Sequence, residues 1–99
     1  MEVNVSADNK ETNPVPLFVT EYRIGTDEDV KNHKAVYVIY RGNNKYVVSD
    51  HASVLSITGD WEWEPSPSNR DDEFITRTRF DLADAMKLAE GVYHENCSK

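Results

Sequence analysis

The chain has 99 residues, of which 38% are hydrophobic and 29% charged. That composition suits one folded domain and leaves no room for a second. Eighteen acids against eleven bases give a net charge of −7 at pH 7, so direct nucleic-acid binding and anionic-membrane binding are not expected, because phosphates are repelled. No apolar run reaches the ~20 residues that cross a bilayer. The first fourteen residues have neither the basic nor the apolar region of a secretory signal, and the single Cys97 has no internal disulfide partner. A cytoplasmic setting is the expectation.

Residues 1–14 are polar, without a sustained period, and end near Pro14 and Pro16. They predict a flexible arm preceding one domain over residues 15–94, with a frayed tail over 95–99. From Leu17 to Ile24 an alternating pattern predicts a first strand, with Phe18, Thr20, Tyr22 and Ile24 on one face. Gly25 closes it, and Thr26 is placed to cap a single helical turn whose first residues, Asp27, Glu28 and Asp29, suit the positive end of a helix. Ala35–Arg41 is apolar, β-branched or aromatic almost throughout, which predicts a central strand covered on both faces. Gly42-Asn43-Asn44 is turn chemistry, and Lys45–Ser49 is expected to return antiparallel.

After a turn at residues 50–53, Val54 begins a further extended segment, and Thr58–Glu64 alternates strictly. Trp61 and Trp63 point one way, with Asp60, Glu62 and Glu64 on the other side. Residues 65–72, with two prolines, predict a loop. Residues 73–80 alternate again. Pairing them with 58–64 puts Trp63 opposite Phe74, Trp61 opposite Thr76 and Asp60 opposite Arg77. Asp81 caps a final helix whose stripe is Leu82, Ala85, Met86, Ala89 and Tyr93, widened by Leu88 and Val92; Gly91 weakens its last turn, and the helix is expected to fray before His94. Strands grouped before a helix imply an α+β fold: an antiparallel sheet of four to five strands with one C-terminal helix packed on one face, expected against Trp61, Trp63, Phe74 and Phe80.

The most distinctive chemical feature is a comb of carboxylates. Asp60, Glu62 and Glu64 share a strand face at a pitch of about 6.6 Å, and the loop and next segment add Arg70, Asp71, Asp72 and Glu73. A rigid acidic row of this kind suits docking on the basic surface of a protein partner. At that pitch it also imitates a nucleic-acid backbone. The plainer reading is a solvated face, with Asp60 and Glu62 neutralised in part by Arg77. Pro65 and Pro67 stiffen the adjoining loop, which lowers the entropy lost on docking.

No catalytic constellation is visible. Asp50-His51-Ala52-Ser53 lies in a turn whose adjacent positions do not give relay geometry, and there is no Gly-x-Ser-x-Gly elbow. Phosphate-cradling glycine loops and zinc spacings are also missing, so no metal and no cofactor is expected. The tyrosines Tyr37, Tyr40 and Tyr46 read as core residues.

The functional expectation is a small acidic, non-enzymatic binding protein that docks a basic partner through residues 60–73, as an inhibitor or adaptor. In style it resembles phage-encoded proteins that block host enzymes or defence complexes, a likeness that assigns no residue a role. A homodimeric assembly protein, joined through an edge strand or an exposed Trp face, is the alternative.

Overall fold

A computed structural model describes residues 16–98; the arm expected over residues 1–14 lies outside them. Five strands, β1 (Glu21–Ile24), β2 (Val36–Gly42), β3 (Lys45–Ser49), β4 (Val54–Leu55) and β5 (Trp61–Glu62), form one antiparallel sheet in the order β1-β2-β3-β4-β5. Three α-helices join it: α1 (Asp27–Lys31), α2 (Asp72–Thr78) and α3 (Leu82–Cys97). The architecture is α+β, with the C-terminal helix on one sheet face, as the order of elements predicted.

The β2–β3 hairpin is the centre of the sheet. Its turn places Asn43 and Asn44 at φ 55° and 61°, and Gly42 at 96° with a bulge between Tyr40 and Gly42. Left-handed backbone is what Asn and Gly tolerate best. Val36, Val38, Tyr46 and Val48 point to one face, where α3 covers them. Ala85 and Ala89 are fully buried. Their small side chains let the helix backbone come close to the valines, while Leu82, Met86, Leu88, Val92 and Tyr93 pack around that contact. The predicted stripe on α3 is the buried one.

Strand β1 is shorter than its alternation suggests. Tyr22 and Ile24 pack on the core, but Phe18 and Thr20, expected on the same face, are exposed and precede the strand. Thr26 does cap α1, through a capping box with Asp29. Gly25 (φ 130°) is required here, since a Cβ would sit 3.2 Å from both Ala35 and Asp29. Helix α3 does not fray before His94 but continues to Cys97. Two ties hold its last turns: Tyr93 Oη donates to Asp29 Oδ2 at 2.6 Å, and Asn96 Nδ2 donates to Lys34 O at 3.1 Å. The hydrogen bond from Tyr93 is the main reason Asp29 titrates below the ordinary carboxylate range.

The second half of the expected sheet is different. Residues 73–80 are not a strand: Asp72–Thr78 is α2, and of this stretch only Phe80 bridges to the sheet, exchanging backbone hydrogen bonds with Tyr46. The predicted register of Trp63 with Phe74, Trp61 with Thr76 and Asp60 with Arg77 therefore does not form. Asp71 accepts a hydrogen bond from Phe74 N at 2.8 Å, so the chain starts a helix. Asp72 and Glu73 then suit its first turn and Arg77 its last. Nor is Thr58–Glu64 continuous strand. A turn at Gly59 (φ 93°) folds β5 back onto β4, pairing Val54 with Glu62 and Leu55 with Trp61. The ladder ends at Glu62, although side chains keep alternating through Glu64, with Trp61 and Trp63 exposed and Glu62 and Glu64 half-buried.

Candidate functional site

The face of the sheet opposite α3 is covered by α2. Phe74 inserts against Val47, Val54 and Ile39, and Thr78, one turn on, is fully buried with its hydroxyl donating to Phe74 O at 2.7 Å. This placement decides the fate of the carboxylate comb. Trp61 and Trp63 are not turned inward. Trp61 is 41% exposed at the margin of α3, beside Leu88 and Val92, and Trp63 is 74% exposed. Phe74 lies on the sheet face away from α3, so only Phe80 of the four aromatics expected beneath the C-terminal helix is buried there.

Two carboxylates of the comb turn toward α2 and its flanks instead of standing free. Glu62 receives two hydrogen bonds of 2.7 Å from Arg77, in a side-by-side pair that holds its pKa below the ordinary range. Glu64 is 12% exposed and takes three arginines. Arg41, at the end of β2, donates from Nε (3.1 Å) and Nη2 (2.8 Å). Arg79, following α2, donates from Nη2 at 2.9 Å. Arg70, after a 3-10 turn at Pro67–Asn69, approaches within 3.3 Å. Burial pushes the Glu64 pKa up, but Arg41, Arg79 and Arg70 outweigh it and the net direction is down. Burial, helped by repulsion from Arg70 and Arg41, moves Arg79 the other way, below the usual guanidinium range.

Asp60, Asp71, Asp72 and Glu73 remain exposed. Asp60 accepts from Thr58 Oγ1 at 3.1 Å, and Asp71 caps α2. The evenly pitched row on which mimicry of a nucleic-acid backbone depended is thus broken at two of its three strand positions. Arg70, expected at the partner surface, helps to hold Glu64.

The arginines that gather on Glu64 escaped the sequence reading. They come from three separated elements, and alternation had placed Arg79 in a strand. The available signal was local: Asp71 followed by Phe74, with Phe74 and Thr78 one helical turn apart, is a capped amphipathic helix.

His51 does sit in a turn, at φ 79°, stacked on Tyr37 with ring centroids 3.6 Å apart and 3.2 Å from Glu21 Oε2. The hydroxyl of Ser49 and the carboxylate of Asp50 are engaged by the backbone of that turn. Among the described residues, no three His, Cys, Asp or Glu side chains converge to hold a metal ion, and no helix is long and apolar enough to cross a membrane. No family model, curated protein or solved structure matches the chain.

Proposed function

We propose that the chain is a non-enzymatic binding protein, a cytoplasmic inhibitor or adaptor that docks a basic surface of a partner protein. The contact is made by Trp63 together with the outward acids Asp60, Asp71, Asp72 and Glu73. The observation that carries this reading is the exposure of Trp63: an indole 74% open to solvent beside an edge strand is an anchor without a pocket, and Trp is the side chain most often found at the energetic centre of an interface. Exposed carboxylates elsewhere in residues 60–73 speed association with a basic partner and make it depend on salt. Glu62 and Glu64 support the surface from within through their arginines.

The experiment is capture of the partner at low and high salt by the wild-type protein and by two variants, Trp63→Ser and the triple neutralisation Asp60→Asn, Asp72→Asn and Glu73→Gln. Asp71 is left intact because it caps α2. The expected result is capture that weakens with salt and with either variant. Capture equally strong in all three proteins at both salt concentrations overturns the reading.

A second reading has its own observation. Among the described residues strand β5 lies at the end of the sheet, flanked by exposed Ile57, Trp61 and Trp63, a surface suited to pairing with a second copy. Light scattering over a range of concentrations separates the two, since a monomer at every concentration removes the dimer.

A further inference from the structure

Three of the chain's five arginines meet one carboxylate, in a protein whose acids outnumber its bases. One bidentate arginine suffices to pair Glu64, so the cluster holds two positive charges beyond what it needs internally. The surplus opens onto a cleft of about 430 Å³ between α2 and the tip of the β2–β3 hairpin, lined by Arg41, Arg70, Arg79, Lys45, Asn43 and Ile75. Lys45 adds a further positive charge at the rim, and Ile75 contributes an apolar wall.

The donors are arranged for a ligand. A guanidinium carries five N–H donors. Arg70 directs Nε to Pro65 O at 2.8 Å and Nη2 toward Glu64; its other donors have no partner among the described residues. Arg79 directs Nη1 to Thr78 Oγ1 and Nη2 to Glu64, and Arg41 directs Nε and Nη2 to Glu64 and Nη1 to Tyr40 O, so Arg70 keeps the most donors for a ligand. Arg79 is held by burial, with 8% of its side chain exposed, and Arg70 and Arg41 are 20% and 26% exposed, so the guanidinium cluster is largely preorganised with one side toward the cleft. Hydrogen bonds to a doubly charged oxyanion in such a site are stronger than in open water.

We infer that this cleft binds the dianionic phosphate group of a small phosphorylated molecule, with Arg70 as its direct ligand, Arg41 and Arg79 supplying positive charge behind it, and Lys45 at the rim. The charge matches: a phosphomonoester carries close to two negative charges at neutral pH, as many as the arginines leave over. The volume falls in the range of small-molecule sites and exceeds what a bare phosphate fills. This site adjoins the Trp63 surface, since Arg41 borders both, but the phosphate reading does not rest on a protein partner docking there.

The test is an NMR titration of the intact protein with inorganic phosphate at constant ionic strength, followed through the amides of Asn43–Lys45 and the Nε–H signals of the arginines. Adenosine monophosphate and glucose 6-phosphate serve as probes of the organic body. Saturable shifts confined to this cleft, with a Kd of ~1 mM or tighter, are expected for phosphate. Arg70→Gln should weaken them at least about tenfold, since a charge-assisted bond is lost while Arg41 and Arg79 still pair Glu64. Lys45→Gln, which changes only an exposed side chain at the start of β3, should weaken them by a smaller factor. Absence of saturation by all three probes, or equal affinity in wild type and both variants, overturns the assignment.

Discussion

The β2–β3 hairpin with α3, and the stretch from Asp60 to Phe80, are held by different forces. In the first, Val36, Val38 and Val48 lie under Ala85 and Ala89, all nearly or wholly inaccessible, and burial of apolar surface does the holding. In the second, Phe74 anchors a short helix that backbone bonds at Arg77 and Phe80 tie to the sheet side, and ion pairs add the rest: Arg77 with Glu62, and Arg41, Arg70 and Arg79 with Glu64. Both guanidinium groups of α2's last turn and cap also lie within 6 Å of the Phe74 ring centre, at 5.4 and 5.9 Å. Apolar residues declare which way they face. Charged residues do not, because a carboxylate can turn to water or toward an arginine at similar free energy.

The sharpest way to break this contrast is Phe74→Ala. It removes the apolar anchor of α2 and should cost about 3–5 kcal/mol, measured by chemical denaturation. Hydrogen exchange should show α2 opening while β2, β3 and α3 stay protected; uniform loss of protection would mean that the two regions are one cooperative unit.

The next largest effect is expected from Glu64→Gln. Three arginines would then face one another without a countercharge, at a cost of about 2 kcal/mol, less than for a fully buried pair. Glu62→Gln, at a more exposed pair with a single arginine, should lower the melting temperature by less. The same two carboxylates contribute to the acid limit. Their folded pKa values lie below the unfolded ones, so the stability they contribute is complete above the ordinary carboxylate range and is lost as pH falls through the folded values. Asp29 adds to that loss in the same direction. Acid titration followed by circular dichroism should show a decline in wild type that is shallower in Glu64→Gln; an unchanged profile would remove Glu64 from this role.

The smallest predicted effect tests the helix start. Asp71→Ala removes the cap of α2 and should cost about 1 kcal/mol, read as a modest drop in melting temperature. If it costs nothing, α2 is held by its tertiary contacts alone.

By itself the sequence determined the α+β class, the hairpin, the Thr26 and Asp81 caps and the buried stripe of α3. Each of those rests on interactions within a few residues or on a strong apolar period, and such signals need no knowledge of what lies opposite. It did not determine residues 58–80, where period-2 alternation and a capped helix compete for the same letters. Phe74, Thr76, Thr78 and Phe80 alternate as a strand does, yet Phe74 and Thr78 are also one helical turn apart. Only tertiary structure decided between them, by offering Phe74 a place on Val47 and Val54, and Arg77 and Arg79 carboxylates to meet. The same choice drew Glu62 and Glu64 toward their arginines and, by alternation along the chain, left Trp63 exposed on the other side.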